Sequence, residues 1–112
     1  MLKILEMTLK TGIQTTKYPQ EPDIAPLDFR GKPEIFPDSC TFCGNCVAVC
    51  PSNVIRIKED NGEMVLVLSY CGCIFCGRCD EVCSGGAIKL TQEYEMASRT
   101  KDDLYCIIRR KV

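Results

Sequence analysis

Eight of the ten cysteines in this 112-residue chain stand in two runs of identical spacing. The first, Cys40-Thr41-Phe42-Cys43-Gly44-Asn45-Cys46-Val47-Ala48-Val49-Cys50, aligns without gaps on Cys73-Ile74-Phe75-Cys76-Gly77-Arg78-Cys79-Asp80-Glu81-Val82-Cys83. Three thiols at intervals of three, on a loop that opens into a helix, converge on one cubane while backbone N–H groups point at its sulfurs. In a C-x2-C-x2-C-x3-C run the last cysteine belongs to the cluster of the other run. The spacing therefore predicts two 4Fe-4S clusters, one held by Cys40, Cys43, Cys46 and Cys83, the other by Cys73, Cys76, Cys79 and Cys50. Zinc is the competing use of four thiolates, but structural zinc sites are built from two separated C-x2-4-C pairs rather than a triple with a remote fourth.

Two cysteines fall outside this scheme. Cys106 sits between Tyr105 and Ile107 in an apolar stretch, where a small buried side chain is expected. Cys71, two positions before the second run, reads as a bystander, with replacement of Cys73 or a weak S–H bond to the cluster as the alternatives. The runs also differ at their ends: Pro51 follows the first, whereas Ser84-Gly85-Gly86 follows the second. That departure predicts a looser turn, either tolerated or adding hydrogen bonds that raise one cluster's potential.

Composition narrows the chemistry further. Histidine is absent, which excludes Rieske ligation, His-ligated haem and imidazole acid–base catalysis, so the chain is expected to be no enzyme by itself. The formal net charge of −1 favours no nucleic-acid partner. Loading two clusters on thiolates would bring it to roughly −5, because ligation requires deprotonation. No secretory signal and no run of roughly 20 apolar residues is visible, and a reducing cytoplasm, where disulfides are rare, is the expected setting.

The positioning elements follow from the repeat. Its register continues from Val54-Ile55-Arg56-Ile57 to Ala87-Ile88-Lys89-Leu90, so each unit is a cysteine run, a short helix and a strand. Val54 to Lys58 and Met64 to Leu68 flank Asn61-Gly62 and predict a hairpin. Tyr18 to Asp38, which holds all but one of the six prolines, predicts an irregular strap anchored by Ile24, Leu27, Phe29, Ile35 and Phe36. Leu2, Leu5, Leu9 and Ile13 have near-helical spacing, with Gly12 as the expected terminator, giving an amphipathic helix that packs on the core or docks on a membrane subunit or lipid. Thr91 caps an expected helix through Ala97, Leu104 to Ile108 is an expected strand, and Arg109-Arg110-Lys111 is read as a solvated basic end or, less favoured, a partner site. The predicted fold is α+β, a pseudo-symmetric core of short helices and β-hairpins. Residues 1–38 form the helix and strap, 39–91 the cluster domain and 92–112 a C-terminal extension.

Lys10-Thr11-Gly12, Lys17-Tyr18-Pro19 and Asp28-Phe29-Arg30-Gly31-Lys32-Pro33 precede the first run, and Ala87-Ile88-Lys89-Leu90-Thr91-Gln92-Glu93-Tyr94-Glu95-Met96-Ala97 follows the second. With the cysteine runs, these segments resemble the bacterial 2[4Fe-4S] ferredoxin-like subunit of formate hydrogenlyase and of energy-converting, membrane-bound NiFe hydrogenases. That subunit is similar to the two-cluster subunit of respiratory complex I. The resemblance spans about residues 8–98, and the Phe-Arg-Gly-Lys-Pro and Gln-Glu-Tyr-Glu segments are its most discriminating parts. It implies a peripheral subunit on the inner, cytoplasmic face of the cell membrane. Electrons would pass between a soluble donor, ferredoxin or a formate dehydrogenase electron-carrier subunit, and the hydrogenase small subunit. Hydrogen chemistry would occur in a partner, at a NiFe site this chain lacks, and the hydrogenase large subunit and membrane subunits would complete the complex. A stand-alone soluble ferredoxin and a quinone-reducing, complex I-like module are the alternatives.

Overall fold

The computed structural model describes residues 1–111; Val112, the last residue of the expected C-terminal extension, lies outside them. The fold is α+β. Three helices, α1 (Leu2–Thr11), α2 (Asn45–Val49) and α3 (Arg78–Val82), combine with five strands, β1 (Pro33–Ile35), β2 (Ile55–Asp60), β3 (Glu63–Ser69), β4 (Ile88–Leu90) and β5 (Tyr105–Lys111). All strand pairs are antiparallel: β1 with β4 in one sheet, and β2-β3-β5 in the other.

Each repeat folds as a cysteine loop, a short helix and a strand, α2 leading to β2 and α3 to β4. The two copies match in backbone detail. Phe42 and Phe75 both take φ 55°, and Gly44 and Gly77 take φ 83° and 81°. The β2–β3 hairpin turns on Asn61 and Gly62 at φ 50° and 79°, the positive values that a two-residue hairpin loop requires. Period-two patterning then decides which face is buried. Ile55, Leu66, Leu68 and Ile108 point inward and join Ile35, Tyr70, Ala87 and Ile88 in one core that includes Cys40 and Cys46.

β5 is longer than expected and turns the basic Arg109-Arg110-Lys111 end into strand, paired through Arg109 with Val65 and through Arg110 with Met64. The end is strand rather than tail; its three basic residues stay exposed, and Arg110 Nη1 donates to the Cys40 carbonyl at 3.0 Å. The helix expected over residues 92–97 does not form. Its backbone is claimed by the strap instead: the Gly31 and Lys32 amides donate to the Thr91 and Glu93 carbonyls, and the Thr91 hydroxyl donates to Lys32 O at 2.7 Å rather than capping a helix. Tyr94 completes the clasp, its hydroxyl donating to Asp23 O at 2.7 Å and its ring meeting Phe29 edge-on.

Of the expected strap anchors only Ile35 is buried, whereas Phe29 and Phe36 are partly exposed and Ile24 and Leu27 remain 95% and 93% exposed. Polar clasps and the β1–β4 pairing, rather than apolar burial, hold the strap. Gly31 lies so close to the opposing segment that a Cβ there would stand 2.5 Å from Glu93 O. Tyr70 adds a crossing tie, its buried hydroxyl donating to Pro33 O at 2.9 Å.

α1 forms as the spacing predicts and ends where Gly12 takes φ 61°. It buries no residue, so packing on the chain's own core is excluded. The molecule extends 72 Å along its longest axis, against 30 and 24 Å in the other directions. Truncating Leu66 to alanine should cost about 2–5 kcal/mol, whereas Leu5→Gln should stay within about 0.5 kcal/mol. Denaturant unfolding followed by circular dichroism checks both values.

Candidate metal centres

Both cysteine loops curl around a volume that their own backbones leave open. One cavity is lined by Cys40, Cys43, Cys46 and Cys83, the other by Cys73, Cys76, Cys79 and Cys50. In each, three cysteines come from one repeat and the fourth from the twin. The inner face of β3 runs beneath both, Leu66 in the first wall and Leu68 in the second. Alternate residues of a strand lie about 7 Å apart, so the cavities are close neighbours.

The loops place backbone donors against the sulfurs. The Ala87 amide donates to Cys83 Sγ at 3.2 Å. Hydrogen bonds from the Asn45 amide, and then from the Thr41 side chain, hold the exposed Cys43 thiol below its usual range. Burial outweighs such bonds deeper in. Desolvation pushes the Cys46 and Cys73 thiols up, with the neighbouring Cys50 sulfur adding to the effect at Cys73, and it lifts Cys79 to about 11.

Non-glycine residues at positive φ are uncommon, and for a bulky side chain they signal strain. Phe42 and Phe75 hold it at the same place in each loop, between the first and second cysteines. The donor chemistry fits a cluster better than a single ion. Every candidate ligand is a thiol. Three thiols from one loop with a fourth from the other repeat match the cubane pattern rather than the two separated pairs of a structural zinc site.

A family model described as a 4Fe-4S dicluster domain matches residues 39–102. The chain belongs to the 4Fe-4S dicluster family. As a dicluster protein it is an iron–sulfur protein. It is similar to formate hydrogenlyase subunit 6 of Escherichia coli strain K12, at 48% identity over 105 residues, covering 92% of this chain and 58% of that one. The dicluster chain thus spans little more than half the length of this curated relative. In fold it is similar to a chain of the membrane-bound sulfane sulfur reductase, an archaeal respiratory membrane complex. There the TM-score is 0.70 at 22% identity, over 90% of this chain and 56% of that one.

The remaining cysteines stay apart from the cavities. Cys71 is exposed and lines neither wall, whereas Cys73 lines one. Cys106 is half-buried against the core beside Tyr70, whose hydroxyl pKa is raised first by burial and then by Cys106. The turn after the second run follows the backbone of the first and carries the Ala87 amide bond to Cys83 Sγ. Gly86 at φ 63° repeats the conformation of Asn53 at φ 52°, and Gly85 is required because a Cβ would lie 2.8 Å from Ser39 O.

Two positioning residues escaped the sequence reading: Arg110, bonded to the Cys40 carbonyl, and Arg30, whose Nη1 donates to the Cys76 carbonyl at 3.4 Å. Neither has a local sequence signal, since both reach the loops from distant segments. In the metal-free dicluster chain at pH 8, iodoacetamide should label Cys43 several-fold faster than Cys46 or Cys79, because the thiolate is the nucleophile. Peptide mass spectrometry reads the order, and equal rates would show that the loops do not hold this form without metal.

Proposed function

We propose that the chain is an electron relay of a membrane-associated oxidoreductase complex, carrying two 4Fe-4S clusters on the crossed ligand sets. The observation that carries this reading is the pair of adjacent cavities, each lined by three cysteines of one repeat and one of the other. Clusters bound there would supply one-electron transfer without proton or group chemistry. Cys40, Cys43, Cys46 and Cys83 would hold one, and Cys73, Cys76, Cys79 and Cys50 the other. The Ala87 amide and the short Asn45–Val49 and Arg78–Val82 helices orient the thiolates, while Leu66, Leu68, Ile55 and Ile88 exclude water beneath them. Arg110 and Arg30 fix the loop carbonyls.

Within a complex, the proposed partners are the small and large subunits and the membrane subunits of a NiFe hydrogenase, with ferredoxin or a formate dehydrogenase carrier as donor. The similarity to formate hydrogenlyase subunit 6 supports this assembly over a quinone-reducing one. No helix among the described residues is long and apolar enough to cross a membrane. The proposed place is therefore peripheral, on the inner face. The wholly exposed apolar side chains of α1 favour a fixed subunit over a diffusing ferredoxin.

Affinity capture of the tagged chain from anaerobically solubilised membranes should bring down NiFe hydrogenase subunits; recovery of the chain alone would refute the assembly. The crossed ligand sets have their own test. Cys83→Ala should halve the iron content, Cys83→Ala with Cys43→Ala should remove no more, and Cys83→Ala with Cys76→Ala should remove nearly all of it. The opposite pattern for the two double variants would mean that each run serves its own cluster.

A further inference from the structure

The outer face of the β2-β3-β5 sheet carries four cations, Arg56, Lys58, Arg109 and Lys111, against two carboxylates, Asp60 and Glu63, at its hairpin end, on a chain whose formal net charge is −1. Register places Arg56 beside Val67 and Ile107, and Lys58 beside Val65 and Arg109, all on the side opposite the core. The cations are exposed, and among the described residues the ion pairs are Lys10–Glu6 and Lys17–Glu21, so none of these three is paired. The centre of the face is apolar. Val65 is buried yet stands outside the core cluster, Ile107 is 54% exposed and Tyr105 42%.

This face is also open toward one of the metal centres. A groove of about 460 Å³ runs from Arg56, Lys58 and Tyr105 to Ser52, Val54 and Gly72. Ser52 and Val54 are at the same time wall residues of the cavity lined by Cys50, Cys73, Cys76 and Cys79. A merely solvated strand face needs neither an exposed aromatic and aliphatic centre nor a groove that ends at the wall of a cofactor cavity.

We propose that this face docks an acidic electron-carrier protein, with Arg56, Lys58 and Arg109 meeting its carboxylates and Tyr105 and Ile107 forming the apolar centre of the contact. The proposal rests on the relay reading and names the side on which electrons enter or leave. Opposite charge across such a contact raises the encounter rate and makes it sensitive to salt. Per event one electron leaves the reduced carrier and enters this chain, with no bond made and no proton moved. An anionic lipid surface would share the charge requirement. The groove ending beside Gly72 favours a protein, because only a redox partner gains from approach to that wall.

The test uses the full-length, cluster-loaded chain and an acidic bacterial ferredoxin as the probe. Affinity for the oxidised probe is measured by fluorescence anisotropy at several salt concentrations, and electron transfer from the reduced probe by stopped flow. Arg56→Glu with Lys58→Glu should weaken binding tenfold or more and flatten its salt dependence. Lys3→Glu with Lys10→Glu on α1 makes the same charge change elsewhere and should stay within about twofold of wild type. All four positions are exposed, and iron content confirms that each variant is loaded. Equal losses in both variants would overturn the proposal. It would also fall if the face variant kept its affinity for the probe but lost binding to phosphatidylglycerol vesicles, the outcome expected of a lipid-facing surface. Reduced methyl viologen separates the two levels: if it cannot reduce even the wild-type chain, the relay reading fails and this proposal with it. If viologen reduces all variants equally while the probe binds them equally, only the docking face is wrong.

Discussion

A chain of 112 residues has little apolar material to spare, and this one sets eight thiols around two open volumes in the middle of what it has. The constraint that follows is mutual. Each cavity is lined by one cysteine from the opposite repeat, Cys83 for the first and Cys50 for the second, so each draws its wall from both halves. The core is organised around that exchange. α2 and α3 pack together between the cavities' cysteine loops, and β3 passes beneath with Leu66 under one and Leu68 under the other. Cys40 and Cys46 are themselves core residues, which ties burial of the apolar side chains directly to the geometry of the thiols.

Around this symmetric centre the two halves are supported differently. β2 is covered by β3 and, beyond it, β5, whereas β4 pairs only with the short β1 supplied by the strap. The arginines that fix the loops come from opposite ends of the sequence, Arg110 to Cys40 and Arg30 to Cys76. The second run also ends in a Ser-Gly-Gly turn pressed against Ser39. Local hydrogen bonding and exposure set the potentials of such clusters, and these differences provide for two unequal sites on one pseudo-symmetric frame.

Short-range pattern carried much of this structure into the sequence. The Asn61-Gly62 turn, the helix ending at Gly12 and the repeated loop–helix–strand unit were legible, because spacing and turn chemistry determine them locally. What was not legible depends on partners far away in sequence. Thr91 to Ala97 has the composition of a helix, yet Gly31 and Lys32 take its carbonyls and Tyr94 reaches back to Asp23. Ile24 and Leu27 look like anchors, yet polar ties hold the strap and leave them in solvent. Arg110 looked like part of a charged tail, and only the pairing of β5 with β3 shows it reaching the first cysteine loop.

The central claim is that these two cavities are made for two cubane clusters rather than for single ions or no metal at all. Iron and acid-labile sulfide content per chain, determined on anaerobically purified protein, tests it most directly. The account predicts about eight of each. About four of each, or stoichiometric zinc without sulfide, would contradict it.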